Sequence, residues 1–164
     1  LELQRNFASA YVLKGKIAKK QGNLTQAIGH YNTAVDMEKD PARKAKMYSL
    51  VARMQMERND YSGALNTIGK AISINPKGGS SSLLGMKGQA EYMAGRYNDA
   101  VNTLPQLVGS GIDAKAKAKY SFMLGMAAKK IRDNETARAA FKAAAYGPYK
   151  PAARIELEKL TQGG

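Results

Sequence analysis

The stretch GNLTQAIGHYNTAVDMEKDP, residues 22–41, holds the pattern that decides the fold. Its small and aromatic side chains, Ala27, Tyr31 and Ala34, recur every three or four positions. This spacing places them on one face of an α-helix. A polar turn at Gly22 opens the stretch and a proline closes it, so we predict one helix between two helix breakers.

The same pattern returns three more times along the chain. Its central alanine stands at Ala27, Ala64, Ala100 and Ala137, so that successive copies are 37, 36 and 37 residues apart. Chance rarely gives four copies at so even a spacing. A period of about 20–50 residues indicates a repeat architecture.

A second helical pattern precedes each copy and has its own small residue, at Gly15, Ala52, Gly88 and Gly125. Each unit is therefore predicted to be a helix, a short turn and a second helix. A small residue on one helix lets its partner pack close, and a bulky residue on the partner fills the adjoining groove. Because a single pair cannot bury its apolar stripe, the pairs must stack.

The fourth unit departs from the repeat pattern at two positions. An aromatic or apolar residue stands four positions before the small residue in the first three units, as Tyr11, Tyr48 and Leu84, but the fourth has Ser121 there. It has also lost the glycine of the turn between its two helices. We therefore regard it as a weaker copy.

These residues resemble the tetratricopeptide repeat, most strongly in the Ala-x-x-x-aromatic-x-x-Ala core, over roughly residues 8–147. The resemblance implies an all-α fold, a right-handed α-solenoid (superhelix) of antiparallel helix pairs. The period is longer than the family's usual value of about 34 residues. We predict nine helices in one domain, 1–164, with repeats at about 8–41, 45–78, 81–112 and 118–149 and a capping helix at about 151–162.

Local chemistry predicts where several helices begin and end. Asp40 and Asp113 are expected to be N-caps, since their carboxylates can accept hydrogen bonds from the first turn of a helix. Pro105 falls inside the second helix of the third repeat and should kink or shorten it. Residues 75–82, NPKGGSSS, are predicted to be the longest loop.

Composition excludes some functions and leaves the compartment open. The 26 Lys and Arg against 13 Asp and Glu give a net charge of +13, and the chain has no Cys. Disulfides, Cys-ligated metals and a cysteine nucleophile are thereby excluded. No apolar run is long enough for a membrane span. Because the chain begins at Leu1 and not at Met, we expect an upstream segment, and either a cytoplasmic or a periplasmic or exported location is compatible with the sequence.

We predict that the protein is not an enzyme and has no cofactor or metal. The single histidine, His30, lies within the repeat pattern beside Tyr31, where a packing or surface role is expected. The acidic residues are scattered along the chain. Residues 75–82 lack the Lys-Ser/Thr and the preceding strand of a phosphate-binding loop.

The resemblance implies that the first helix of each repeat lines a concave groove that holds a peptide or a partner helix. Five of the eight methionines fall on these positions, and the basic residues lie at the two ends of the groove. A protein or peptide with an apolar centre and acidic flanks would match this layout. Alternatively, the methionines pack between helices as core. The predicted groove residues are Val12, Lys16, Lys19, Leu50, Arg53, Met56, Met86, Gln89, Tyr92, Met93, Lys119, Phe122, Met123, Met126, Lys129 and Lys130.

Three other kinds of partner follow less directly from the residues. Some members of the family grip C-terminal carboxylates with a clamp that includes two asparagines, but this chain has Lys16 and Leu50 at those two places, so this mode of binding is disfavoured. Nucleic acid or an anionic surface is favoured by the charge of +13, although the lysines occur on several faces and predict only salt-sensitive binding. A homo-oligomer is the third alternative. In it, the capping helix or the LELQRN segment of one chain would lie in the groove of another.

Overall fold

A computed structural model describes residues 2–75 and 81–162, and their side chains from Phe7 onward. Within these ranges the chain forms nine α-helices and one short 3-10 helix and contains no β-strand, as the all-α prediction requires. The helices are α1 (Glu2–Lys20), α2 (Leu24–Met37), α3 (Pro41–Glu57), α4 (Tyr61–Ile74), α5 (Ser81–Met93), α6 (Tyr97–Val108), α7 (Ala114–Lys130), α8 (Asn134–Ala144) and α9 (Lys150–Gln162), with the 3-10 helix at Gly147–Tyr149.

The chain consists of two compact units, Leu1–Leu83 and Leu84–Gly164. In the first unit α1 packs on α2, α2 on α3 and α3 on α4. In the second unit α6 packs on α7, α7 on α8 and α8 on α9. The helix pairs α1–α2, α3–α4 and α7–α8 correspond to the predicted first, second and fourth repeats. The helix α9 lies at the residues predicted for the capping helix.

The predicted close approach of small and bulky residues is present in both units. A Cβ atom added to Gly15 of α1 would lie 2.7 Å from the ring of Tyr31 on α2. A Cβ added to Gly125 of α7 would likewise lie 2.6 Å from the ring of Phe141 on α8. These distances are too short for a methyl group, so the absence of a side chain is what lets each pair pack.

The central alanines of the repeats form the inner layer of each unit. Ala27 and Ala64 in the first unit, and Ala100 and Ala137 in the second, are completely buried. A larger side chain at any of these positions would have to displace a packed neighbour. The repeat period read from these alanines therefore reports the spacing of packed helix pairs.

The turn between the two helices of a pair has the same backbone conformation in all four repeats. Its φ angle is positive at Gly22 (79°), Asn59 (60°), Gly95 (75°) and Arg132 (63°). Glycine adopts this left-handed conformation without a steric penalty, whereas for other residues it costs about 1–2 kcal/mol. The fourth repeat thus keeps the turn although it has lost the glycine.

The predicted helix caps are confirmed. The Asp40 carboxylate accepts a hydrogen bond from the Arg43 backbone N–H at 2.7 Å, at the start of α3. The Asp113 carboxylate accepts hydrogen bonds from the N–H groups of Lys115 and Ala116 at 3.0 and 2.9 Å, at the start of α7. Both carboxylates satisfy donors that have no partner inside the helix.

Two other local predictions have a different outcome. Pro105 does not end α6, which continues to Val108 and has 12 residues, between the 11 of α8, which has no proline, and the 14 of α2 and α4, so the length of α6 does not show the predicted shortening. The prediction of a loop at residues 81–82 is wrong, since they already belong to α5, and two serines are tolerated in the first turn of a helix. Residues 76–80 of the same predicted loop lie outside the described residues.

Candidate protein-interaction surface

The predicted groove residues lie on the first helices of the repeats, and they divide between the two units. The first-unit surface comprises residues of α1 and α3, and the second-unit surface residues of α5 and α7. The first-unit surface contains Val12, Lys16, Lys19, Leu50, Arg53 and Met56. The second-unit surface contains Met86, Gln89, Tyr92, Met93, Lys119, Phe122, Met123, Met126, Lys129 and Lys130.

The apolar members of the first-unit surface are half-buried. Val12 and Leu50 pack against the buried cluster that contains Tyr31, and the rest of each side chain remains accessible. Met56 is also half-buried. These residues therefore join the core to the surface and do not belong wholly to either.

The basic members of the first-unit surface are exposed. Lys19 Nζ forms an ion pair with the Glu57 carboxylate at 2.9 Å, so that part of its charge is already neutralised. Lys16 and Arg53 form no ion pair with any residue in the described ranges. Their charges are consequently available to a partner.

The methionines of the second-unit surface differ in exposure. Met86 is only 9% exposed and belongs to the core, whereas Met93 is 49% exposed. Met123 and Met126 lie between these limits and pack against two different buried clusters, one around Leu104 and one around Phe141. An unbranched thioether can change rotamer while it keeps part of its core contact, which suits a surface that adapts to a partner.

The two aromatic residues of the second-unit surface pack against further aromatic rings. The Phe122 ring lies 5.6 Å from the Phe141 ring and 5.7 Å from the Tyr149 ring, in tilted arrangements. The Tyr92 ring meets the Tyr97 ring edge-on at 5.7 Å. Burial raises the pKa of the Tyr92 phenol above its ordinary value, and Tyr97 adds to this shift.

Two basic residues of the second-unit surface have internal partners. Lys119 Nζ donates a hydrogen bond to the Gln89 side-chain oxygen at 3.3 Å. Lys129 pairs with the Glu156 carboxylate of α9. The ammonium groups of Lys129 and then Lys159 hold the pKa of Glu156 below its ordinary value, because both donate hydrogen bonds to its charged form.

Lys130 differs from its neighbour Lys129. It is exposed and forms no ion pair with any residue in the described part of the chain. The helix α9 therefore neutralises Lys129 and leaves Lys130 available at the end of α7. The second-unit surface thus combines apolar side chains with the ammonium group of Lys130, which has no ion-pair partner among the described residues.

Among the described residues there is no group of three or more His, Asp or Glu side chains that could hold a metal ion. His30 lies with its ring 6.0 Å from the Tyr11 ring, a packing contact of the kind expected for it. Across the described residues, no helix combines the length and the apolar character that crossing a bilayer requires.

Sequence reasoning missed two clefts on the side of the units where the second helices lie. One lies between α2 and α4 and has a volume of about 350 Å³, and the other lies between α6 and α8 with about 400 Å³. Ser121 lines the second cleft and Tyr48 stands at the equivalent position of the first, so the size of this residue is no signal for a cleft in the sequence.

Two sequence profiles of the tetratricopeptide repeat match the chain, one over residues 8–41 and the other over residues 86–154. Together they span more than half of the chain, in agreement with the helix pairs and their period. The chain belongs to the tetratricopeptide repeat family.

Solved structures show the same fold at low sequence identity. MamA (41-end) from Desulfovibrio magneticus RS-1 has a TM-score of 0.75 at 17% identity, over 94% of this chain and 93% of that one. A tetratricopeptide repeat protein from Parabacteroides merdae ATCC 43184 has a TM-score of 0.82 at 14% identity, over 96% and 61%. YrrB, described as a protein with an unusual peptide-binding site, has a TM-score of 0.72 at 17% identity, over 92% and 74%. The predicted all-α, α-solenoid fold class is thereby confirmed.

Curated relatives match a shorter part of the chain. The photosystem I assembly protein Ycf3 of Prochlorococcus marinus (strain NATL1A) and that of Cyanophora paradoxa are each 30% identical over 70 residues. The match covers 43% of this chain and 40% of each relative. The chain thus spans about two fifths of the length of these relatives.

Proposed function

We propose that the protein is a non-catalytic scaffold that binds a partner protein, as a peptide or a helix, on the first-helix surfaces of its repeats. The observation that carries this proposal is the second-unit surface, where the exposed Met93 and the half-buried Met123 and Met126 present apolar, adaptable side chains. Adaptable methionines favour binding to apolar segments of varied sequence.

The free cations refine the chemistry of the partner. Lys16 and Arg53 on the first-unit surface and Lys130 on the second form no ion pair with described residues. A partner segment with apolar residues flanked by Asp or Glu would complement these charges. Complementary charge mainly raises the association rate and the specificity of such a complex.

The relatives are compatible with this proposal. YrrB is described as having a peptide-binding site, and the name of Ycf3 refers to the assembly of a complex. For this chain we propose a role of the same broad kind, in which the scaffold holds one protein component during assembly.

The proposal is tested by passing extract from the native source over the immobilised protein and identifying the molecules that it retains at low and at high salt. The variant Met93→Glu with Lys130→Glu changes two exposed residues of the second-unit surface. Met123→Glu with Met126→Glu is less suitable, because both side chains also contact the core and the change would weaken the fold. The matched control is Ile155→Glu on α9, where the apolar side chain is 51% exposed.

We expect a partner that withstands high salt, is lost with the double variant and is kept with Ile155→Glu. If retained molecules are nucleic acid or many acidic proteins, all released by salt and indifferent to the variant, the protein is a charge-driven binder. If the retained molecule is the protein itself, it is a self-associating module. Either of these results contradicts the proposed scaffold.

A further inference from the structure

Exposed apolar side chains line one face of α1. Phe7, Leu13 and Ile17 each expose between 50 and 58% of their surface. At 3.6 residues per turn these three share a face of the helix with Ala10 and Lys14, which are also exposed. We call these five residues the α1 edge face. A contiguous exposed apolar stripe marks a place where another surface packs.

The equivalent face of α3 is covered by a helix. Met54 stands 37 positions after Ile17, which is the spacing between the first and the second repeat. It is almost completely buried and belongs to one cluster with Ala27 and Tyr31 of α2. The helix that packs on this face of α3 is therefore the second helix of the preceding repeat.

The equivalent face of α7 is covered in the same way. Ala127 stands 110 positions after Ile17, which is the distance between the first and the fourth repeat. It is completely buried in a cluster with Leu104 of α6. In both units a second helix thus occupies this face of the first helix that follows it. The packing of the chain itself indicates that the α1 edge face fits an α-helix.

Phe7 makes the α1 edge face more apolar than its equivalents. The same place is taken by Lys44 in α3 and by Lys117 in α7. The end of a stack of helix pairs needs a polar outer face to remain in water. The α1 edge face presents three large apolar side chains instead, so we expect it to be covered.

Lys14 gives the same face a positive charge. Its equivalents Val51 and Leu124 are buried, whereas Lys14 is exposed. The Lys14 ammonium lies 5.0 Å from the centre of the Tyr11 ring and forms no ion pair with any described residue. A helix that covered it as α2 covers Val51 would take an unpaired charge out of water, which is unfavourable. A helix that fits this face therefore needs an Asp or Glu opposite Lys14.

Charge also disfavours a second copy of the chain as the occupant. Two α1 edge faces packed on each other would bring two Lys14 ammonium groups into one interface. Lys16 and Lys20 of the same helix, which have no ion-pair partner in the described ranges, add to the repulsion. Like charges across an interface cost free energy and suppress such a complex. A partner with a negative charge is favoured instead.

We propose that the α1 edge face binds an acidic amphipathic α-helix of a different protein. The apolar stripe of that helix packs on Phe7, Leu13 and Ile17, and one of its Asp or Glu residues pairs with Lys14. A bulky residue of the partner lies over Ala10, because a small side chain lets two helices approach closely.

This site goes beyond the proposed scaffold function and uses other side chains. Lys14 and Lys16 are two positions apart, so they point about 200° away from each other around α1. Lys16 belongs to the first-unit surface and Lys14 to the α1 edge face. Either site can fail while the other is retained.

Fluorescence anisotropy of the full chain with three labelled helical peptides tests the site. The peptides have about 20 residues, a length sufficient for a helix, and share one stripe of Leu and Ala. They differ only beside this stripe, where they carry Glu, Gln or Lys. We expect the Glu peptide to bind, and the Gln and Lys peptides to bind about tenfold more weakly or not at all, because neither offers a carboxylate to Lys14.

A charge reversal at two lysines locates the binding site. Lys14→Glu should weaken binding of the Glu peptide about tenfold and strengthen binding of the Lys peptide. Lys16→Glu is the matched control, since it makes the same change in net charge on the opposite side of α1. It should leave both peptides bound as by the unchanged protein.

Removal of the apolar side chains tests the other half of the site. Phe7→Gln with Ile17→Gln should abolish binding of the Glu peptide. The control is Ile155→Gln on α9, where an apolar side chain of similar exposure is removed, and binding should persist. Circular dichroism at 222 nm shows whether each variant has folded. Should the double variant fail to fold, the comparison of Lys14→Glu with Lys16→Glu decides alone.

The opposite results overturn the proposal. These are no binding of the Glu peptide to the unchanged protein, equal binding of the Glu and Gln peptides, or equal effects of Lys14→Glu and Lys16→Glu. A dimer of the chain in the analytical ultracentrifuge that Ile17→Gln dissociates would identify a second copy as the occupant and would overturn it as well.

Discussion

The ring of Tyr31 lies so close to Gly15 that a Cβ atom at Gly15 would be 2.7 Å from two of its carbon atoms. This contact joins α1 to α2 and is the geometric basis of the repeat. Tyr31 itself is buried, and burial raises the pKa of its phenol. The spacing in the sequence predicts this pairing of a small residue with a bulky one, and the structure confirms it.

Substitution of the glycine in this contact should weaken the fold. Gly15→Ala should lower the free energy of unfolding by about 1–3 kcal/mol, because the new methyl group overlaps the ring and forces the helices apart. Gly29→Ala is the matched control in the same repeat, since a Cβ atom there has no neighbour within 4 Å. In the interior of α2 it should stabilise by about 0.5–1 kcal/mol. Urea unfolding followed at 222 nm measures both, and equal effects would refute the role of close packing.

The link between α7 and α9 should make stability depend on pH. The hydrogen bonds of Lys129 and Lys159 lower the pKa of Glu156 from its ordinary value of 4.5. Its contribution to stability, on the order of 1 kcal/mol, is therefore fully present above pH 4.5 and is lost as the pH falls through the lowered pKa. Glu156→Gln should melt at a lower temperature at pH 7, and the difference from the unchanged protein should vanish in acid.

Glu158→Gln is the control for the pH dependence of Glu156. Glu158 lies on the same helix and is exposed, and it forms no ion pair with a described residue. Its substitution should leave the melting temperature nearly unchanged at both pH values. A difference for Glu156→Gln that persists undiminished in acid would show that its effect does not arise from the charge.

The cap of α7 should contribute to stability through its hydrogen bonds. Asp113→Ala should destabilise the protein by about 0.5–2 kcal/mol, because the N–H groups of Lys115 and Ala116 lose their acceptor. Asp113→Asn keeps an acceptor oxygen in the same place and should cost only a few tenths of a kcal/mol. Melting curves of the two variants distinguish the contribution of the cap hydrogen bonds from that of the negative charge of Asp113. A large loss with Asn would indicate that the charge matters and not the hydrogen bond.

The turn of the fourth repeat should be strained. Arg132 has a φ angle of 63° at the position where the first and third repeats have glycine. Arg132→Gly should raise the melting temperature, since relief of about 1–2 kcal/mol of strain exceeds the entropy cost of glycine, about 0.5–1 kcal/mol. Gly95→Ala, the reverse change at the equivalent turn, should lower it. A lower melting temperature for Arg132→Gly would show that the arginine side chain stabilises the turn.

Most of the fold could be predicted from the sequence because it depends on local patterns. The period of the alanines predicts the helix pairs, and the caps at Asp40 and Asp113 follow from the chemistry of single residues. The turn at Arg132 is harder to predict, since its usual signal, the glycine, is missing, and the conformation is held by hydrogen bonds from the Arg132 and Asp133 backbone N–H groups to carbonyl oxygens of α7.

The candidate surfaces could be predicted only in part. Helical spacing selects the face on which Met86 and Met93 lie, but it does not tell that the first is buried and the second exposed. Their exposure depends on neighbouring helices that are distant in sequence. The Lys129–Glu156 pair and the cleft beside Ser121 could not be predicted for a similar reason. Each consists of side chains from different helices, and the repeat pattern does not specify which of these side chains meet.

Binding of a partner protein to the first-helix surfaces is tested most directly by site-specific photo-crosslinking. A benzophenone amino acid replaces Met93 on α5 in one protein and the exposed Glu158 on α9 in the other, and each is irradiated with extract from the native source at high salt. We expect one defined crosslinked partner at position 93 and none at position 158. The same partner at position 158 alone, or no protein at either position, would contradict the proposed scaffold function.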